Sequence, residues 1–284
     1  MTGSPVPRSL AGVTVALLRH PERAEGMANE FLRRGAEVLL APMIDWELPA
    51  DAAALSAGLR AASSYDWVLF TSVTTVRALD RQASVLGTSL AGLLRGARIA
   101  GVGSATGEAL GNAGIRVDLL PDSEQSAAGL LAALPPGPAR VLLPQSDIAA
   151  DTLGAGLQRR GWSVDVVTAY VTVDYPARAE RAVGGPGPGY DGGAVPGSLT
   201  RTALADAIRS GTVDAVVLTS PSTAGRLHAM MGQLPAEVAT IAIGRRTQHD
   251  ASALGLRIDA VAATPSPAGV ADAVAAVVHQ SKEG

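Results

Sequence analysis

Tyr65-Asp66-Trp67-Val68-Leu69-Phe70-Thr71-Ser72 returns in pattern as Val213-Asp214-Ala215-Val216-Val217-Leu218-Thr219-Ser220. Each is a short, continuous apolar run that stops at a hydroxyl pair, as expected of a strand buried on both faces that runs into a turn. The blocks around this pair repeat as well. Ile99 to Gly103, Thr106 and Gly114 with Ile115 recur as Ile241 to Gly244, Thr247 and Gly255 with Leu256, at the same spacing from Gly103 and Gly244 onward. Upstream of each, a strand ending Leu18-Arg19 leads to a helix ending Arg33-Arg34-Gly35 and then to Val38–Ala41. Its counterpart, Val141–Pro144, leads to a helix ending Arg159-Arg160-Gly161 and then to Val164–Thr168. Both glycines suit the position after a helix end, where a left-handed residue is needed. Three matched blocks in order mark one α/β unit carried twice.

Apolar runs at Val13–Leu18, Trp67–Thr71, Ile99–Val102, Val141–Leu143, Ala215–Thr219 and Ile241–Ile243 alternate with alanine-rich helical stretches. The fold class expected is therefore α/β: two similar domains with parallel sheets flanked by helices and a site between them. Two divisions of the chain are open. A linear cut falls at Pro135–Pro138. Alternatively, the extended segments Pro42–Pro49 and Tyr170–Pro176 pair as an antiparallel two-stranded connector, and the first βαβ piece completes the last half. The stretch from Ala177 to Ser198 is rich in glycine and proline without apolar period and reads as a flexible insertion.

Composition removes whole classes of chemistry. The 284 residues contain no cysteine, which excludes disulfides, thiolate nucleophiles and cysteine-held metals; Lys282 is the sole lysine, which excludes a core Schiff base and a phosphate-loop lysine. His20, His228, His249 and His279 are scattered without metal-ligand spacing, so no metal is expected. A net charge of −3 gives no sign of a broad nucleic-acid surface, and any anionic ligand must be met locally. Met1–Leu10 has no apolar core, and no apolar run approaches the roughly 18 residues of a membrane span. The expectation is a soluble cytoplasmic protein with no nucleic-acid or membrane partner.

In parallel α/β sheets, ligands bind beyond the carboxyl ends of the strands. Thr71-Ser72, Gly103 to Thr106, Thr219 to Ser222 and Gly244 to Thr247 fall at such ends, where backbone N–H groups and hydroxyls accept anions, although serine and threonine there also serve as plain helix caps. The run Gly101-Val102-Gly103-Ser104-Ala105-Thr106-Gly107 departs from dinucleotide-loop spacing. Arg19, and Arg245 with Arg246, stand at ligand-facing tips, where a guanidinium can hold a carboxylate bidentately. A cation at a helix start opposes the helix dipole, so decoration is a poor explanation for Arg245 and Arg246. Tyr170 interrupts the second extended segment and offers a phenol as proton or hydrogen-bond donor.

Taken in order, Leu18-Arg19, Phe70-Thr71-Ser72, Val102-Gly103-Ser104-Ala105-Thr106, Arg140–Pro144, Ala169-Tyr170, Leu218–Ser222 and Ile243-Gly244 to Thr247 resemble the uroporphyrinogen-III synthase family, from Val13 to about Val278. The resemblance implies an exchanged organisation: 1–43 with 177–284 as one discontinuous domain, 50–169 as the other, connector strands at 44–49 and 170–176, and the insertion at 177–198. It implies a cofactor-independent lyase that cyclises hydroxymethylbilane with loss of water and inversion of ring D. The site would comprise Tyr170 as catalytic group, with Arg19, Ser72, Gly103, Ser104, Thr106, Ser220, Ser222, Gly244, Arg245 and Thr247 binding substrate. A monomer is expected, its substrate open to delivery by the preceding deaminase. Arg245-Arg246, His249 and the long insertion depart from the family pattern. Two rivals stay open: a non-catalytic regulatory protein on the same fold, and a two-domain protein that binds another small anion.

Overall fold

A computed structural model describes residues 10–122, 124–183 and 197–283. In chain order the elements are β1 (Thr14–Leu18), α1 (Pro21–Arg33), β2 (Glu37–Leu40), β3 (Ile44–Glu47), α2 (Ala53–Arg60), β4 (Trp67–Phe70), α3 (Val73–Val85), α4 (Leu90–Leu93), β5 (Arg98–Gly101), α5 (Ser104–Asn112) and α6 (Ala127–Ala133). They continue with β6 (Arg140–Ser146), α7 (Thr152–Arg159), β7 (Ser163–Asp174), α8 (Arg201–Arg209), β8 (Ala215–Leu218), α9 (Pro221–Met231), β9 (Ala239–Ala242), α10 (Arg245–Ala253), β10 (Ala260–Val261) and α11 (Pro267–Glu283).

The described residues fall into two compact units. One lies within Met1–Asp45, Asp174–Pro176 and Ala194–Gly284, the other within Trp46–Val173 and Ala177–Gly193. The sheet of the first runs β10-β9-β8-β1-β2, with its neighbouring strands parallel. Alternate side chains of its central strands feed two cores. Val15, Leu17, Ala215 and Val217 pack with Ala24, Met27 and Phe31 of α1 and with Val270, Ala271 and Val274 of α11. Ala16, Leu18, Val216 and Leu218 pack with Leu204 and Ile208 of α8 and Leu227 of α9. Because both faces are covered, the strands read as continuous apolar runs.

The second sheet runs β3-β7-β6-β4-β5, with β4, β5, β6 and β7 paired in parallel. Trp67 and Leu69 share a core with Leu130 and Leu134 near α6 and with Leu153 and Leu157 of α7. On the opposite side α2 comes close through Gly58, where a Cβ would already touch Leu142 and Val167 at 3.4 Å.

The two sheets share a plan. The place of β1 and β2 beside β8 matches that of β6 and β7 beside β4, and β9 matches β5. Gly35 and Gly161 hold φ of 88° and 81° after α1 and α7. Behind them Ala36 N–H donates to Phe31 O, and Trp162 N–H to Leu157 O. At the amino ends of the strands, four aspartates repeat one device. Thr14 N–H donates to Asp214 Oδ2 and Arg140 N–H to Asp66 Oδ2, both at 2.7 Å. Thr240 N–H and Ile99 N–H donate to Asp259 and Asp118 Oδ2, both at 2.8 Å.

Two expectations need correction. The second extended segment does not follow a separate strand: Val164–Thr168 and Tyr170–Asp174 form the single strand β7, carried on by the β-branched residues Val171, Thr172 and Val173. The supposed insertion is partly anchored. Glu47 is buried and cannot stay unpaired without a large desolvation cost. Arg181 meets it at 2.6 Å, and Arg178 N–H donates to it at 2.8 Å. Leu48 N–H bonds Arg181 O and Val183 N–H bonds Trp46 O, so 177–183 belong with the second unit. The remainder of that stretch up to 196 lies outside the described residues.

One matched position has diverged in its energetics. Arg257 donates through Nη2 to the carbonyls of Val238, Ala236 and Pro235 at 2.7, 3.3 and 3.4 Å and through Nε to Asp259 at 2.8 Å. Its counterpart Arg116 is 91% exposed and stands 3.9 Å from Asp118. Arg257→Ala should therefore lower unfolding free energy by about 1–2 kcal/mol in a urea titration. Arg116→Ala should change it by less than about 0.5 kcal/mol.

Candidate functional site

In each sheet the connections leave in opposite directions from one pair of neighbouring strands, β1 and β8 in the first unit and β6 and β4 in the second. Residues just past the carboxyl ends of those strands surround a topological switch point, where a doubly wound sheet exposes helix N-termini to a ligand.

In the first unit this end collects Arg19, Ser220, Ser222, Gly244, Arg245 and Thr247. Arg19 is half-buried after β1 and donates through Nε to Arg23 O at 2.6 Å. Burial, and then the charge of Arg23, lower its pKa from the usual arginine value. Ser220 caps α9: its Oγ accepts from Thr223 N–H at 3.3 Å, and Thr223 Oγ1 accepts from Ser220 N–H at 3.2 Å. Ser222 lies 3.2 Å from Ser220 Oγ. Thr219, the other half of the hydroxyl pair, is used structurally, donating to Leu18 O at 3.0 Å. Gly244 caps α10, and Arg245 opens the helix with its side chain exposed and without an ion pair among the described residues. Arg246 is exposed and pairs with Asp250 at 2.7 Å, a hydrogen bond that raises its pKa. Gly244, Arg245, Gln248, Val261 and Pro265 help line a pocket of about 500 Å³.

In the second unit the same end brings together Ser72 and Tyr170, residues far apart in sequence. Ser72 caps α3, accepting from Thr75 N–H at 3.0 Å. Tyr170 sits on β7 in register with Ser146, just past a register shift in β6, and its hydroxyl reaches 3.5 Å from Ser72 Oγ. The residue is only 8% exposed, so the phenol is oriented by packing. Gly103 and Ser104 open α5, but here the turn is already occupied, since Ser104 N–H donates to Gln125 Oε1 at 3.3 Å. Thr106 and Thr247 take matched third positions of α5 and α10. Each is 4% exposed, and neither hydroxyl has a hydrogen-bond partner among the described residues. Within each unit the expected residues thus converge on one end of the sheet, and the groups offered are neutral O–H and N–H donors with a few guanidinium cations. That set suits carboxylates.

A family model described as uroporphyrinogen-III synthase HemD matches residues 25–272. The chain belongs to the uroporphyrinogen-III synthase family. A protein of Methanothermobacter thermautotrophicus named "Putative uroporphyrinogen-III synthase" is 29% identical over 274 residues, covering 93% of this chain and 96% of its own. A crystal structure of a mutant uroporphyrinogen III synthase from the extremely thermophilic bacterium Thermus thermophilus shares the fold at a TM-score of 0.60. It is 22% identical and covers 96% of this chain and 99% of its own. The uroporphyrinogen-III synthetase of Helicobacter pylori 26695 also aligns at 0.60, with 13% identity over 93% and 99% of the two chains. The family places the chain in tetrapyrrole biosynthesis.

The filling of one turn and the opening of its match were not anticipated. Gln125 stands at a turn expected to hold substrate, whereas a pocket opens beside Arg245 at the matching turn. The histidines are not gathered: His20 is buried 3.4 Å from Asp45 and edge-on to the Tyr175 ring. Among the described residues no group of three His, Asp or Glu is placed to hold a metal, and no helix is long and apolar enough to cross a membrane.

Capping and ligand roles separate experimentally at the Ser220 turn. Ser220→Ala removes a capping box and should cost about 0.5–2 kcal/mol of stability. Ser222→Ala touches no backbone N–H and should stay within about 0.5 kcal/mol in the same urea titration.

Proposed function

We propose that the chain is a uroporphyrinogen-III synthase that cyclises hydroxymethylbilane, with loss of water and inversion of ring D, without a cofactor. The observation that carries this reading is the Tyr170–Ser72 pair, in which a packed phenol meets a capping serine at a strand end in a chain of this family.

The substrate is a flexible tetrapyrrole with acetate and propionate arms on every ring. In the proposed reaction the ring A hydroxymethyl group takes up a proton and leaves as water, giving an azafulvene. The substituted carbon of ring D attacks it to form a spiro intermediate, whose fragmentation and recombination yield the type III macrocycle. Tyr170, its phenol oriented by packing and with Ser72 beside it, supplies the proton to the departing hydroxyl. The remaining task is conformational, since the free substrate closes to the type I isomer. Carboxylate arms held at fixed donors make the hindered carbon the nearest nucleophile. The strand-end turns of each unit supply such donors: Ser220, Ser222, Gly244 and Arg245 with Arg19 in the one, and Ser72, Gly103 and Thr106 in the other. Local cations are needed because the chain as a whole carries −3. The proposal extends to a cytoplasmic monomer that receives its substrate from the preceding deaminase.

Purified protein supplied with hydroxymethylbilane should give the type III isomer on chromatographic separation of the oxidised products. Formation of type I alone sinks the synthase reading. Tyr170→Phe should lower kcat by about 100-fold, the scale of a lost general acid. Its thermal midpoint should barely move, because the Ser72 contact is long. Unchanged kcat would remove Tyr170 from the chemistry.

A further inference from the structure

The phenol of Tyr170 is placed by something other than Ser72, since a contact of 3.5 Å is too long to fix a ring. Its strand is irregular at this point. Along β6 and β7, Gln145 pairs with Thr168 but Ser146 pairs with Tyr170, so Ala169 is passed over. Successive side chains on a strand point to opposite faces, and a slip of one residue would turn the phenol away from Ser72. The shift must therefore be held, yet β6 ends at Ser146 while β7 runs on to Asp174.

Asp147 stands where the hold is needed. Its N–H donates to Tyr170 O at 3.1 Å, and its Oδ1 accepts from Thr172 N–H at 3.0 Å. In a parallel ladder a residue reaches two positions on its neighbour through its own N–H and C=O, and here the carboxylate takes the place of the carbonyl. A side chain thus carries the ladder past the end of β6. Ser146 fixes that side chain, because its Oγ donates to the same Oδ1 at 2.9 Å and accepts from Ile148 N–H at 3.3 Å.

The other unit lacks the device. By the register that pairs Thr14 with Glu37 and Arg140 with Ser163, the residue matched to Asp147 is Pro21, which has neither an N–H nor a side-chain acceptor. There β2 stops at Leu40. Asp147 is also exposed and negative at the strand end where the synthase reading needs donors for carboxylates. A bare charge there would repel the substrate, so surface decoration is a poor explanation for it.

We propose that Asp147 is the positioning residue of Tyr170: by bridging Tyr170 O and Thr172 N–H it holds the register shift that aims the phenol towards Ser72. This rests on the synthase reading, in which that phenol gives a proton to the departing hydroxyl. Asp147 itself touches no reacting atom. Its acceptor oxygen matters and its charge does not, because an amide oxygen satisfies Thr172 N–H as well. A brace at the surface adds little stability, but a displacement of about 1 Å at a proton donor costs much in rate.

The test uses the full chain with 3-fluorotyrosine in place of its four tyrosines, the Tyr170 resonance being assigned by its loss in Tyr170→Phe. In Asp147→Ala this fluorine resonance should shift or broaden while the others hold, and in Asp147→Asn it should return. In turnover of hydroxymethylbilane by the unlabelled proteins, Asp147→Ala should lower kcat about tenfold, and Asp147→Asn should recover most of that loss. Both variants remove the same charge, so the difference between them separates the acceptor from any change in substrate attraction. In the Tyr170→Phe background Asp147→Ala should lower kcat no further, whereas a merely structural defect would add. A Tyr170 resonance or a kcat unmoved in Asp147→Ala overturns the proposal. So does a kcat of Asp147→Asn no higher than that of Asp147→Ala, or an undiminished loss in the Tyr170→Phe background. Should the wild type make only the type I isomer, or Tyr170→Phe keep full kcat, the chemical reading fails and the fluorine spectra alone decide the brace.

Discussion

β1 is the strand on which the first unit depends. From Val15 to Leu18 it is fully buried, and it can be so only with a strand hydrogen-bonded on each edge and helices on each face. One edge is supplied by β2, close in sequence. The other is supplied by β8, whose Asp214 lies 200 positions from its hydrogen-bond partner Thr14. Closing that pair carries a large loop-closure cost and cannot precede synthesis of the last third of the chain. The sheet of the second unit, by contrast, is complete within Ile44–Asp174 and is available before β8 exists. The order in which the units consolidate follows from this connectivity.

Parallel pairing has a second consequence: it sorts the two ends of each sheet by chemistry. At the amino ends, Asp66, Asp118, Asp214 and Asp259 fasten neighbouring strands through backbone N–H groups. Tyr65, Asp165 and Arg140 add a cluster there. Burial and the Asp165 hydrogen bond raise the Tyr65 pKa, while the Tyr65 and Arg140 hydrogen bonds lower that of Asp165. At the carboxyl ends stand the hydroxyl and N–H donors of the turns, with Arg19 and Arg245. The four aspartate fastenings thus lie at the far end of each sheet from those turns.

The strands were legible because burial on both faces leaves an unmistakable apolar run, as at Trp67–Phe70 and Ala215–Leu218. The repeat then aligned Ser72 with Ser220 and Thr106 with Thr247. What the sequence hid was carried by single side chains acting across elements. Glu47 gives no sign, in an extended segment, that it will fasten Arg178 and Arg181. Gln125 lies in a connection with no periodicity of its own. A signal did exist for Arg246, since Asp250 is four residues on along a helix. The four aspartates could also have been noticed at equal places in both repeats. The meeting of Tyr170 with Ser72 required knowing that β7 continues past Thr168, which propensity allowed but did not demand.

The two copies have kept what holds them together and changed what they present. The aspartate fastenings and the glycines after α1 and α7 match closely. At the opposite ends the copies part. Ser72 meets Tyr170 beyond its own turn, whereas among the described residues its counterpart Ser220 meets Ser222 and Thr223 of its own helix. One turn is filled by Gln125, and the other opens beside Arg245. A linear tetrapyrrole is itself asymmetric, with a hydroxymethyl group at one terminus and a free ring carbon at the other. On the synthase reading two identical sets of turns would accept it in either direction, and in one of the two no proton donor would face the leaving group. On the same reading, divergence at the ligand-facing ends suits such a substrate: Tyr170, present in one unit alone, marks the chemical terminus, and unequal turns set the direction in which the chain of rings is laid down.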